Sequence, residues 1–215
     1  MTKPKLQIAL DSQNLGEALE TVREVGDVVD ILEVGTVLCL QAGMEPVRAI
    51  KALYPNKDIL ADTKCADAGG TVAKNCKDSG ANIMTVICCA TIPTMEAAKK
   101  EIDILQVELY GDWTFEQAKQ WMDIGINEVV YHQSRDALLS GETWGEKDLN
   151  KIKKLIDMGF KVYVTGGLDV NSLELFKGID VYAFIAGRGI AMAENPKQAA
   201  IDFKEKINEI FNSEF

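Results

Sequence analysis

VDILEVGTV, residues 29–37, is a short β-branched, apolar run that carries one carboxylate, Glu33, and ends on glycine and threonine before another apolar residue. Alternation along a strand puts Glu33 on the face opposite Leu32 and Val34. Because the run is apolar on both sides of that carboxylate, the face points into the protein, where an unpaired charge is costly. Glu33 therefore reads as a functional group at the carboxyl end of a buried parallel strand.

The same kind of run recurs on either side: LQIAL (6–10), DILAD (58–62), IMTVI (83–87), ILQVEL (104–109), EVVYH (128–132), KVYVT (161–165) and VYAFIA (181–186). Between the runs, apolar residues fall at helical spacing. Leu15, Ala18, Leu19, Val22 and Val25 make one stripe, Leu149, Ile152, Leu155 and Ile156 a second, and Ala200, Phe203, Ile207, Ile210 and Phe211 the last. A strand-then-helix unit repeated eight times predicts an α/β protein, a (β/α)8 TIM barrel. An open doubly wound sheet would want a G-x-G-x-x-G turn after an early strand, whereas the first run here leads into Asp11-Ser12-Gln13-Asn14. No Pro/Ser-rich boundary or low-complexity stretch interrupts residues 1–215, so a single domain is expected.

Composition narrows the function. With 23 Lys and Arg against 33 Asp and Glu the net charge is −10, which argues against nucleic acid and anionic membranes as partners. A small anion in a locally positive pocket remains compatible with that charge. The opening MTKPKLQIALDSQ lacks a secretory pattern, and no apolar run approaches the roughly 20 residues that span a bilayer, so a cytoplasmic location is expected. Five cysteines without a C-x-x-C pair read as reduced, mostly buried thiols. His132 is the sole histidine, which excludes H-E-x-x-H zinc chemistry and any site with two histidine ligands.

A barrel builds its active site at the carboxyl ends of its strands. Those positions hold Asp11; Glu33; Asp62, Lys64 and Asp67; Glu108; His132 and Arg135; Thr165-Gly166-Gly167; and Gly187-Arg188-Gly189. Only the fourth run, ending in Ile87-Cys88-Cys89, offers no ionisable group of obvious catalytic use. Each group also has a plain structural reading. Asp11 could cap the following helix, Asp62 to Asp67 could be an exposed salt-bridged turn, His132 could be a satisfied core histidine, and Arg135 could pair with Asp136 in solvent. The glycines could serve ordinary turns.

The chemistry on offer is specific in type. Glu33 and Asp62 supply hard oxygen ligands suited to Mg²⁺ that keeps several waters and a substrate oxygen. Lys64, two residues beyond Asp62 and so on the same side of an extended chain, should be held protonated by Asp62 and Asp67. A fixed ammonium beside a metal stabilises a developing oxyanion or enolate. The TGGL and AGRGIA turns bring backbone N–H groups, a helix start and Arg188, the makings of a phosphate site.

In combination, ALD (9–11), LEVGT (32–36), D-x-K-x-x-D (62–67), VELYGDW (107–113), YHQSRD (131–136), VTGGL (164–168) and FIAGRGI (184–190) resemble the orotidine 5′-monophosphate decarboxylase suprafamily across essentially the whole chain. Within it, the pattern looks most like the 3-keto-L-gulonate 6-phosphate decarboxylases. Glu33 points to the Mg²⁺-dependent branch, and Arg135 favours decarboxylase over the related 3-hexulose 6-phosphate synthase aldolases, which carry His-x-Gly-x-Asp there. Relatives often have Arg where Gln133 stands and Ala where Thr63 stands, which leaves room for altered specificity. The resemblance implies a homodimer in which Asp67 reaches into the partner's site, with Mg²⁺ held by Glu33, Asp62 and a phosphorylated keto-sugar acid. It implies that Lys64 stabilises an enediolate while Glu108 and Asp11 position hydroxyls or the lysine. His132 and Arg135 would direct a proton, and Thr165, Gly166, Gly167, Gly187 and Arg188 would bind substrate. Loss of CO₂ would give L-xylulose 5-phosphate, in L-ascorbate utilisation. An aldolase joining formaldehyde to ribulose 5-phosphate is the alternative expectation, and a non-catalytic phosphosugar-binding protein is a more distant one.

Overall fold

The computed structural model describes residues 3–211. Eight parallel strands, β1 (Lys5–Leu10), β2 (Ile31–Val34), β3 (Asp58–Cys65), β4 (Ile83–Ile87), β5 (Ile104–Leu109), β6 (Glu128–His132), β7 (Lys161–Thr165) and β8 (Ala183–Ala186), pair in chain order and close by pairing β8 with β1. The expected (β/α)8 TIM barrel is therefore the fold. Five of the strands begin and end within one residue of the apolar runs. β2 and β8 start two residues late, at Ile31 and Ala183, and Val29 and Val181 are buried in the approaches to them. β3 runs three residues past Asp62.

The outer ring departs from one helix per strand. α1 (Leu15–Val25) follows β1; α2 (Thr36–Ala42) and α3 (Glu45–Leu53) follow β2; α4 (Gly69–Asp78), α5 (Ile92–Lys99) and α6 (Phe115–Asp123) follow β3, β4 and β5. α7 (Arg135–Leu139) and α8 (Glu146–Asp157) follow β6, and α9 (Arg188–Ala191) and α10 (Pro196–Phe211) follow β8. After β7 there is only a 3₁₀ turn, Ser172–Phe176, where the repeat predicts a full helix. Its Leu173 and Phe176 are still fully buried, so this short turn covers the barrel wall there.

Local chemistry explains the elements. The Asn14 side chain accepts from the Glu17 N–H and caps α1, with Glu17 in the first turn and Arg23 in the last complementing the helix dipole. Ala18, Val22 and Val25 on α1, Ile152 and Leu155 on α8, and Ala200, Phe203, Ile207 and Ile210 on α10 are buried against the sheet, as the stripes predict. Fully burying each such large apolar side chain contributes about 1.5–3 kcal/mol. Inside the barrel a second apolar layer, Ile31, Leu60, Ile83, Val130, Tyr163, Ala183 and Ile185, fills the space beneath the catalytic end. Because this plug is solid, only the carboxyl ends of the strands are left to shape a site.

β3 is irregular at the point that matters. Ala61 pairs with Met84 but Cys65 pairs with Val86, so the strand carries extra residues between them, and Lys64 sits there at φ +43°. A non-glycine residue in this left-handed region is strained. The Thr85 hydroxyl accepts from the Lys64 N–H at 2.9 Å and the Thr63 hydroxyl donates to the Thr85 carbonyl at 3.0 Å, which holds the bulge in place.

Candidate active site

A cavity of about 700 Å³ opens at the carboxyl ends of the strands, and Asp11, Glu33, Asp62, Lys64, Glu108, His132, Arg135, Thr165, Gly166, Gly167, Gly187 and Arg188 all line it. Of the sequence-predicted site residues only Asp67 is absent: it lies exposed beyond the β3 bulge.

At the centre is a lysine held by carboxylates. Lys64 Nζ lies 2.5 Å from Asp62 Oδ2 and 3.0 Å from Glu108 Oε2, and donates to the Thr36 hydroxyl at 2.8 Å. Burial opposes its charge, but Asp62 and Glu108, then Glu33, outweigh burial and hold the ammonium above the usual lysine range. The expectation that Asp67 shares in holding it protonated is corrected: Glu108 from β5 takes that place. The reason is the bulge, which carries residues 66 and 67 out of the barrel mouth while the lysine side chain turns inward.

Asp62 is also buried, which by itself would raise its carboxyl, yet Lys64 and hydrogen bonds from Lys64, Thr36 (2.6 Å) and Thr85 (2.7 Å) bring it below the usual carboxylate value. The reading of Asp62 to Asp67 as an exposed salt-bridged turn therefore fails at its first half. Glu33 behaves in the opposite way. Burial first, and the charge of Asp62 second, push its carboxyl well above the ordinary value, and only the Gln7 amide, donating at 2.6 Å, and Lys64 pull against that. Three buried carboxylates thus face one ammonium.

That imbalance is the test of fit for a divalent cation. The residues suit one: Glu33 is a buried carboxylate whose charge has too little compensation, next to Asp62. Among the described residues no cluster of three or more His, Cys, Asp or Glu makes a complete cage. A pair of carboxylates with the remaining positions left to water and substrate oxygens is the pattern that Mg²⁺ accepts.

Beside the lysine, Glu108 Oε1 lies 2.6 Å from His132 Nδ1. The Tyr110 hydroxyl is 2.7 Å from the same nitrogen, and the two rings are in contact, tilted by 37° with centroids 4.7 Å apart. His132 is thus neither a core histidine nor a solvent-exposed one. Across the mouth, Arg135 Nη2 pairs with Asp11 Oδ2 at 3.5 Å, not with Asp136 as its plain reading held, and Asn14 rather than Asp11 caps α1. Gly35 leaves room beside Asp11, since a Cβ there would sit 2.8 Å from the Leu10 carbonyl oxygen and 2.4 Å from Asp11 Oδ1.

The far wall is made of backbone. Gly166 has φ +114° and a Cβ on it would come 2.1 Å from the Gln133 carbonyl oxygen, so only glycine fits. The Trp144 indole N–H, from the segment between α7 and α8, donates to the Gly166 carbonyl at 2.8 Å, and the Thr165 hydroxyl at the end of β7 donates to the Ile185 carbonyl of β8 at 3.1 Å. Arg188 opens α9 at the edge of this wall and is exposed.

Sequence reasoning missed the neutral members: Gln7, Thr36, Thr85, Gln106, Tyr110 and Gln133 also line the cavity. Strand parity would have found several. Gln7, Gln106 and Tyr110 stand an even number of residues from Ala9 or Glu108 and so share their inward face.

A closed parallel barrel whose strand ends gather a clamped lysine, buried carboxylates and a glycine wall defines an enzyme of the (β/α)8 class. A family model described as the orotidine 5′-phosphate decarboxylase / HUMPS family matches residues 4–203, and the chain belongs to that family. It is 52% identical over 215 residues, 98% of this chain and 100% of the other, to the 3-keto-L-gulonate-6-phosphate decarboxylase UlaD of Escherichia coli O17:K52:H18. A ligand-bound crystal structure of KGPDC from Streptococcus mutans matches with a TM-score of 0.97 at 59% identity, covering 98% of this chain and 100% of that one. The 3-hexulose-6-phosphate synthase of Salmonella typhimurium matches with a TM-score of 0.89 at 26% identity, covering 95% and 99%.

Proposed function

We propose that this protein decarboxylates 3-keto-L-gulonate 6-phosphate to L-xylulose 5-phosphate and CO₂ in L-ascorbate utilisation in the cytoplasm. The observation that carries the reading is Lys64, held as an ammonium by Asp62 and Glu108 at the mouth of the barrel. In a β-keto acid, breaking the bond to CO₂ leaves its electron pair on an enediolate, and a fixed positive charge lowers the energy of that state more than that of the substrate. Likeness to decarboxylases at 52% and 59% identity, against 26% for the hexulose phosphate synthase, supports this over the aldolase alternative.

Each residue has a task under this reading. Glu33 and Asp62 would hold Mg²⁺, which when bound supplies a second positive charge beside the enediolate oxygens. Glu108 Oε2, sealed from solvent with Lys64 as its ion partner, would position the lysine. Asp11 fixes Arg135 over the cavity. Gly166, Gly167, Gly187, Thr165 and Arg188 receive the phosphate, and His132 with Arg135 delivers a proton, through water, to the carbon that lost CO₂. Asp67, outside its own chain's cavity, is assigned to the partner's site in a homodimer.

The test is CO₂ release from 3-keto-L-gulonate 6-phosphate, with and without chelation of Mg²⁺. Release that stops on chelation and returns with Mg²⁺ is expected; full release after exhaustive chelation removes the metal assignment, and no release removes the substrate. Formaldehyde-dependent loss of ribulose 5-phosphate in a parallel assay measures the aldolase. Mixing inactive Asp67→Asn and Lys64→Ala chains should restore part of the activity, and none after verified subunit exchange returns Asp67 to its own chain.

A further inference from the structure

Nδ1 of His132 is the meeting point of more groups than one nitrogen can serve as donor or acceptor alone. Glu108 Oε1 lies 2.6 Å from it and the Tyr110 hydroxyl 2.7 Å. The Tyr110 ring lies against the imidazole, tilted 37° to it with centroids 4.7 Å apart, and Lys64 Nζ stands 6.0 Å from the centroid of that same Tyr110 ring. Among the described residues nothing hydrogen-bonds Nε2, while His132 lines the cavity.

The protons in this triangle can be counted. Glu108 is a buried carboxylate, with Lys64 on its Oε2, and can only accept. The Tyr110 hydroxyl is buried beside Glu108 and Asp62, and burial first, then those charges, push its ionisation far up, so it always carries its proton. If Nδ1 carried no hydrogen, its lone pair would face the carboxylate oxygen at 2.6 Å, a repulsive contact in a low-dielectric site. With the hydrogen on Nδ1, it is donated to Glu108 Oε1 and shared with the Tyr110 oxygen, the two polar atoms within hydrogen-bond distance of that nitrogen.

We propose that Tyr110 is a positioning residue that, together with Glu108, locks His132 in the tautomer with hydrogen on Nδ1 and presents Nε2 to the cavity. A hydrogen bond at one ring nitrogen decides what the other can do. Here Glu108 and Tyr110 grip one edge of the ring, so the opposite edge alone exchanges protons with whatever the cavity holds. The contact with the tilted Tyr110 ring and the two partners on Nδ1 together fix the imidazole and hence the direction from which a proton arrives. The tautomer assignment stands on the side-chain network alone; its consequence for turnover rests on the proposed decarboxylation, where a planar enediolate can be protonated on either face.

Because the chain has one histidine, the test is free of overlap. Protein labelled with ¹⁵N-histidine is titrated upward from the doubly protonated ring, and long-range ¹H–¹⁵N correlations show which nitrogen gives up its proton. Loss from Nε2, with Nδ1 retaining its hydrogen, is expected. Loss from Nδ1 in the wild type overturns the proposal whatever any variant does. Tyr110→Phe keeps the tilted ring and removes the hydroxyl, leaving Glu108 alone to hold the Nδ1 hydrogen; the share of the second tautomer should then rise above that in the wild type, and an unchanged spectrum strikes Tyr110 from the lock. In turnover in D₂O the same variant should spread deuterium more evenly over the two C1 positions of the product and lower kcat about tenfold with little change in KM, a fold-change equal to about 1.4 kcal/mol. A tautomer that mixes while the deuterium pattern stays as in the wild type leaves the lock standing and refutes His132 as the proton donor.

Discussion

Glu128 and Glu33 are both carboxylates buried inside the same barrel, 3% and 7% exposed, yet they are built for opposite ends. Glu128, at the start of β6, accepts from Lys161 at 3.0 Å, from the Tyr163 hydroxyl at 2.9 Å and from the Gln106 amide at 3.3 Å. Its charge is met from three sides, and it closes the floor. Glu33, at the mouth, has one amide donor and a like-charged neighbour. Burial alone therefore says little about purpose; what separates a structural carboxylate from a poised one is whether its own chain completes its shell.

That contrast can be broken or sharpened by substitution. The largest effect is expected at the lysine that serves the poised cluster: Lys64→Ala should lower kcat by about a thousandfold or more, because the lost interaction is strongest in the transition state. A change confined to KM would make Lys64 a binding residue. Next, Glu128→Ala should lower stability by about 1–3 kcal/mol, discounted because Lys161 is partly solvated, and leave the folded enzyme's turnover near wild type. Thermal melting with an activity measurement on the same sample separates the two, and a loss of turnover without a shift in Tm would erase the distinction between floor and mouth.

The smallest effect has the opposite sign. Glu33→Gln should raise Tm by about 2–4 °C, from roughly 1 kcal/mol of relieved burial and repulsion, while abolishing turnover. The pH dependence follows from the raised ionisation of Glu33. A group whose folded value lies above its ordinary 4.5 contributes stability in full below that value and loses it as pH rises through the folded value. The gap in Tm between Glu33→Gln and wild type should therefore widen as pH rises, and adding Mg²⁺ should narrow it by stabilising only the wild type. Asp62 contributes in the reverse direction, since its depressed value makes its stability present above the usual carboxylate range and lost in acid. A gap that shrinks with rising pH would mean Glu33 is as well compensated as Glu128.

Charged residues at strand ends were the legible part of this molecule, because eight apolar runs fixed where the ends fall and a charge there stands out. Glu33 and Asp62 were readable for that reason. Thr36 and Thr85 were not, since a threonine in or beside an apolar run carries no signal until its hydroxyl is seen on Asp62 at 2.6 and 2.7 Å. That Asp67 takes no part in holding its own chain's Lys64 was hidden by the β3 bulge: counting by twos along an extended chain cannot show that Lys64 turns to φ +43°. The missing helix after β7 was hidden too, because Leu173 and Phe176 keep a buried pattern that a short 3₁₀ turn supplies as well as a longer helix.

The bond from the Trp144 indole to the Gly166 carbonyl makes the glycine wall optically legible. An indole's emission follows the electrostatics around its N–H, and here that N–H is fastened to the very peptide on which the phosphate is proposed to rest. Of the other two tryptophans, Trp121 is sealed in the core and Trp113 lies beneath Lys151, away from the cavity lining. Ligand arrival should thus be visible as a change in the colour or yield of one residue, with no dye attached, and Trp144→Phe should darken that signal and leave the other two lamps burning.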